Sequence, residues 1–140
     1  MVDQFKFPGG RYRITREEDA DLRQAVGSPP DPDGRAHPIF YYIATQCEMG
    51  ISVGDLCAMC DFDVKDGPMM ATSKVEYARD LMVDQEYDVG GEILSLVRKP
   101  SRTFGAMDLL TYRLTLSDQA GQVLSCINEW VLPRRGETAA

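Results

Sequence analysis

The sequence holds one histidine, one tryptophan and four cysteines in 140 residues. These scarcities exclude several chemistries. A structural zinc site asks for four cysteine or histidine ligands at close spacing. Cys57-x-x-Cys60 supplies one pair at metal or redox spacing, but no second pair exists and His37 is 20 residues from Cys57. No metal ligation is therefore expected, and Cys47, Cys57, Cys60 and Cys126 are expected to be reduced, buried thiols. Basic residues are also in deficit: 15 Lys and Arg stand against 22 Asp and Glu, for a net charge of −7. Nucleic acid and anionic membrane surfaces are poor partners for such a chain, because phosphate binding needs concentrated positive charge. Long apolar runs are missing too, so no bilayer-spanning segment is expected. "MVDQFKFPGG" lacks the basic-then-apolar pattern of a secretion signal, which points to a cytoplasmic location.

What is present is the composition of one folded domain. The chain is 44% apolar and 26% charged, within the range of globular proteins and long enough to bury a core without covalent staples. A single domain over 1–140 is expected, with its core at about residues 10–135 and a loose tail, "RRGETAA".

Local patterns give the order of elements. "REEDADLRQAV" (16–26) reads as a short helix. Thr15 is placed to cap it, Glu18 to reach back to the cap, and Gly27 to end it. "SPPDPDG" (28–34) is loop, since its prolines forbid helix or ladder. "PIFYYIATQCEMG" (38–50) opens with proline, which suits the first turn of a helix. Phe40, Ile43, Ala44 and Cys47 share a face, and the tyrosines leave little surface for water. "VGDLCAMC" (53–60) is a second helical piece, with Ser52 and Asp55 as its capping pattern.

Beyond residue 68 the period changes to two. Strands are expected at 69–77, 91–99, 107–117 and 122–133, with "DQAG" (118–121) as a tight turn. A buried helix followed by antiparallel strands implies an α+β architecture: a curved antiparallel sheet wrapped around a central helix.

Three segments then carry a resemblance to a known family. "AHPIF" (36–40) resembles the approach to the central helix in MaoC-like hydratases and in the dehydratase-like domain of fungal-type fatty acid synthases. "SKVEYARDLMVDQEYDVGGEIL" (73–94) resembles their second strand and the turn after it. "LTLSDQAGQVLSCINEWVLPRR" (114–135) resembles their closing hairpin. The likeness spans about residues 10–135 and implies the hot-dog fold. It also implies binding of acyl thioesters of coenzyme A or of the phosphopantetheine of acyl carrier protein, with no other cofactor required. Active members hydrate trans-2-enoyl thioesters or dehydrate (3R)-hydroxyacyl thioesters as dimers, using an Asp and a His.

One departure stands out. The family's Asp-x-Asn-Pro-x-His motif and the helix after it have no room in "GSPPDPDGR" (27–35). His37 matches the later family histidine that leads the central helix. Asp33 precedes it with three intervening residues, where the motif has four. The expectation is a dehydratase/hydratase subunit whose MaoC-like partner, in a heterodimer, carries the catalytic pair. A homodimer, a stand-alone thioesterase and a non-enzymatic acyl-binding module are the alternatives.

The candidate site residues follow from this. His37 either leads the helix and bonds a loop group or lines the thioester site with Asp33. Glu48, on the central helix, matches the place where other hot-dog enzymes carry a catalytic carboxylate. Arg98, Lys99 and Arg102, in "RKPSR", form a basic cluster that could hold the phosphates of coenzyme A or phosphopantetheine. Trp130 is expected in the core or at a dimer interface.

Overall fold

The computed structural model describes residues 2–137. Five antiparallel strands form one sheet: β1 (Gly10–Ile14), β2 (Met69–Tyr77), β3 (Gln85–Ser101), β4 (Gly105–Asp118) and β5 (Gly121–Pro133), in the spatial order β1-β3-β4-β5-β2. Between β1 and β2 run three helices, α1 (Arg16–Val26), α2 (Phe40–Cys47) and α3 (Val53–Met59), and a single 3₁₀ turn at Val64–Asp66.

This order explains where α2 lies. β1 and β2 are the two edges of the sheet, so the chain joining them must cross its full width. An apolar helix in that crossing covers the inner face and gains the burial that a one-sided sheet requires. Phe40 and Ala44 are fully buried against the sheet. The sheet side of this contact is periodic. In β4, Ala106, Asp108, Leu110, Tyr112, Leu114 and Leu116 are buried, and in β5, Leu124, Cys126, Asn128, Trp130 and Leu132 match them. Register breaks at Met70/Thr72, Ile93/Ser95 and Leu116/Ser117 interrupt the ladders, and such bulges bend and twist the strands that carry them.

The expected α1 is present, with Thr15 accepting from the Glu18 amide and Gly27 in the left-handed conformation. The Glu18 side chain, however, accepts from the Tyr12 hydroxyl of β1 instead of closing a capping box. The expected stripe on α2 is rotated: Thr45 is buried in place of Cys47, which is exposed. Thr45 tolerates burial because its hydroxyl donates to the Tyr41 carbonyl one turn back, at 2.7 Å.

Two further expectations change. "GRYRI" forms β1, whose alternating charges conceal it; only Ile14 is fully buried. "QEYDV", taken as part of a turn, begins β3, with Tyr87 and Val89 pointing inward. β3 therefore runs from 85 to 101, two residues past the expected end, with Arg98 and Lys99 inside the strand.

The start of the basic tail is tied down. Arg134 donates to Asp108 Oδ2 at 2.9 Å and to the Cys60 and Asp61 carbonyls, with its guanidinium over the Phe62 ring. The rest of the expected loose tail, 138–140, lies outside the described residues.

Candidate functional site

Asp33 and His37 are not brought together. Asp33 sits in a turn, its amide held by Asp31 and its carboxylate paired with Arg35 at 3.3 Å. His37 uses Nδ1 to accept the Ile39 amide at 3.1 Å, at the start of α2. The carboxylate near His37 is Asp19 of α1, which accepts from its backbone amide at 2.7 Å. Asp19 also pairs with Arg23 at 2.9 Å, and both side chains are buried. Arg23 then donates to the carbonyls of Pro29 and Arg35 and to the Ser28 hydroxyl. One ion pair thus fastens the proline-rich loop and the approach to α2 onto α1.

Glu48 ends α2 at the opposite side of the sheet from β2. Its carboxylate lies over Gly10 of β1, where an added Cβ would come within 2.6 Å of Oε2. Nearby, burial pushes the Tyr12 phenol upward, and Glu18 and Glu48 add to the effect.

The basic cluster does not converge. Arg98 makes a two-pronged pair with Asp108 at 2.7 and 3.2 Å and a third bond to Glu137. Burial works to raise the Asp108 carboxyl, but Arg98 and Arg134 outweigh it and hold it below the usual range. Lys99 and Arg102 remain exposed. Cys57 and Cys60 are buried, and burial pushes the Cys60 thiol up to about 11, so it stays protonated at neutral pH. No cluster of metal-ligating side chains occurs among the described residues.

The polar groups that do converge lie under α2 on the β2 side. A row runs across the sheet from Ser73 of β2 to Asn128 of β5 to Tyr112 of β4, each paired in register with the next. Ser73 Oγ donates to Asn128 Oδ1 at 2.6 Å. The Ser73 hydroxyl has one proton, so the 2.9 Å contact with Tyr41 is donated by the tyrosine. From α2, Gln46 donates to the Tyr112 hydroxyl at 3.3 Å. Burial pushes the Tyr112 phenol up to about 12, against the pull of the Gln46 donor and the nearby Asn128 amide, so it stays neutral at physiological pH. Tyr77 seals the end of β2 by donating to the Pro38 carbonyl at 2.8 Å.

Beside this row a cleft of about 200 Å³ opens to the surface, walled by Tyr42, Val53, Pro68, Met70 and Trp130. No charged side chain lines it. Trp130 stacks edge-on against Tyr112. The larger clefts carry charged side chains, such as Asp61 and Asp63 beside Phe62 and Val64 in one of about 540 Å³. The one of about 590 Å³ is a trough walled mainly by charged side chains, Arg11, Asp84, Glu86, Asp88 and Asp118.

The polar row was not foreseen from the sequence, although one signal was present. Asn128 stands on the inward parity of β5, between Cys126 and Trp130, and asparagine is depleted in strands.

A five-stranded antiparallel sheet covered by a central helix, with an apolar cleft between helix and edge strand, is the hot-dog fold. Solved structures of the same fold include the ChsH1-ChsH2 complex from Mycobacterium tuberculosis (13% identity, TM-score 0.71, covering 93% of this chain and 84% of that one). Similar too is the C-terminally truncated HadBC (3R)-hydroxyacyl-ACP dehydratase complex from the same organism (14% identity, TM-score 0.66, 94% and 97%). A thioesterase from Thermus thermophilus, complexed with coenzyme A and Zn, matches at 16% identity with a TM-score of 0.57 (94% and 83%). At these identities the likeness is one of fold. No protein-family model matches the sequence, and neither does any curated protein.

Proposed function

We propose that this chain is an acyl-thioester-binding hot-dog subunit of the MaoC-like dehydratase/hydratase type, which shapes the acyl site while a partner subunit supplies the acid–base pair. The observation that carries this reading is the neutrality of the interior site. Its cleft and its polar row contain phenols, an amide, a hydroxyl and an indole, but no carboxylate and no histidine. Hydration of an enoyl thioester needs a base poised near neutral pH. A phenol held at about 12 is a poor base, and Glu48 stands at the β1 side of the sheet. An apolar cleft with a few fixed polar groups suits binding and orientation.

The partner would dock along β2. This edge strand is nine residues long and exposes Met69, Met70 and Tyr77. An unprotected edge of that length is a template for another strand. The HadBC and ChsH1-ChsH2 structures of the same fold are themselves complexes. In this reading the exposed Lys99 and Arg102 would meet the phosphates of a coenzyme A or phosphopantetheine carrier, since Arg98 is engaged by Asp108.

The test is calorimetric titration of the chain with octanoyl-CoA, followed by an enoyl-CoA hydration assay after mixing with a MaoC-like subunit that carries Asp-x-Asn-Pro-x-His. Saturable binding, with hydration in the mixture, is expected. No binding at any chain length would refute the reading.

A further inference from the structure

The sheet has a second face, turned away from α2. Side chains alternate along a strand, so the neighbours of the inward Leu110, Trp130 and Leu132 point outward. Pairing in register then sets Val97 of β3, Leu109 of β4, Val131 of β5 and Met69 of β2 in one row across four strands. All four are apolar, and the two ends of the row, Val97 and Met69, are 46% and 42% exposed. An apolar row of this width facing water marks a contact surface.

The rows beside it say what covers it. Next along the strands come Ser95, Thr111, Glu129 and Thr72, and then Glu92, Arg113, Ile127 and Lys74. Glu92 pairs with Arg113 at 3.6 Å, and Thr72 donates to Glu129 at 2.7 Å. The two acids and two bases of these rows cancel, in a chain of net charge −7. Two copies can therefore meet here without the repulsion that their net charge imposes elsewhere.

The rows are also complementary to themselves when read backwards. A second sheet turned over about an axis parallel to the strands, between β4 and β5, sets each row against its own reverse. Val97 then meets Met69, Leu109 meets Val131, the Thr111 hydroxyl meets the Glu129 carboxylate, and Glu92 meets Lys74. A two-fold contact makes each of these pairs twice. An axis along the apolar row would instead lay Glu129 on Pro133 and leave its charge unpaired. Stacked sheets lie about 10 Å apart with strands within about 30° of each other, a gap that facing Lys and Glu side chains bridge. With Lys99 and Met107 one pleat beyond, four strands by four rows cover about 19 Å by 27 Å, roughly 500 Å² before side-chain relief is counted. That is near the lower end of the roughly 600–1,000 Å² per partner of a specific interface.

We infer that a second copy of this chain stacks on the outer face, sheet on sheet, with the Val97-Leu109-Val131-Met69 row at its core and two Glu92–Lys74 pairs at one end. The hydrogen-bonding edge of β2 lies in the plane of the sheet and stays free. The pairing therefore goes beyond the subunit partnership proposed above and does not depend on it.

Light scattering on the purified full chain, over a concentration series, is expected to give the mass of two chains. Glu92→Lys and Lys74→Glu each put two like-charged contacts in place of two attractive ones, and each alone should raise the dimer Kd at least about tenfold. Mixed in equal amounts, the two variants present opposite charges to each other at both contacts, and the pair should re-form with near wild-type affinity. Glu92→Lys also disturbs Arg113 within its own chain, and mixing cannot mend that, so recovery reads the contact between copies. Leu109→Lys, at the middle of the apolar row, should give the mass of one chain. A one-chain mass for the wild type overturns the inference. So does a two-chain mass that none of the three variants moves, which would place the pairing at the β2 edge. A mixture that stays dissociated overturns it as well.

Discussion

At the scale of single residues, the stability of the helix-to-sheet joint rests on Asp19. Its carboxylate is shared between Arg23 and the His37 amide, and the pair is almost dry. Removing one member of a buried pair strands the other's charge, at a cost of about 3–5 kcal/mol. Asp19→Ala is expected to lower the urea unfolding free energy by that amount, whereas Asp33→Ala, in an exposed turn, should change it by less than about 0.5 kcal/mol. Asp108 gives the pH dependence. Its folded pKa is depressed, so the stability it contributes is present above the unfolded carboxylate value of about 3.9 and is lost as pH falls through the lower folded value. Urea midpoints at pH 7 and pH 3 should show a drop on acidification, and Asp108→Asn should be less stable at pH 7 with a shallower acid loss.

At the scale of elements, the register of α2 over the sheet depends on a close backbone approach. Gly50, with φ +88°, lies where an added Cβ would come within 2.6 Å of the Gly9 nitrogen and 2.8 Å of its oxygen. Gly50→Ala should cost at least about 2 kcal/mol in urea unfolding, from left-handed strain and from overpacking together. Gly27 has a similar φ with open space around it, so Gly27→Ala should cost only about 1 kcal/mol. Helix ends and long alternating strands were legible from sequence because capping and period are local. Thr15 as the cap of α1, Ser52 with Asp55, and the inward Leu110-Tyr112-Leu114-Leu116 row all stand as read. β1 and the first half of β3 were not legible, because their burial comes from elements distant in sequence: Ile14, Tyr87 and Val89 share one core cluster with Phe40 and Ala44 of α2 and Leu116 of β4. The polar row was hidden for the same reason. Tyr41, Ser73, Tyr112 and Asn128 come from four elements, and only the sheet order makes them neighbours.

At the scale of the whole molecule, the sequence resemblance and the fold agree, and the site residues it suggested are dispersed. His37 holds the start of α2, Asp33 a turn, Glu48 the β1 side and Arg98 an ion pair with Asp108. What stands together instead is a neutral site beside an exposed edge strand. Charge on that edge should prevent strand pairing. The double variant Met69→Glu/Ala71→Glu is expected to abolish association with the partner in size-exclusion chromatography with light scattering, while the unfolding midpoint moves little.

The central claim is that this chain binds acyl thioesters and does not by itself catalyse their hydration. The most direct measurement is the rate at which the purified chain hydrates trans-2-octenoyl-CoA at concentrations that saturate its binding. The account predicts a rate at the uncatalysed background, rising when the partner subunit is added. Efficient hydration by the chain alone, lost in His37→Ala or Glu48→Gln, would contradict it.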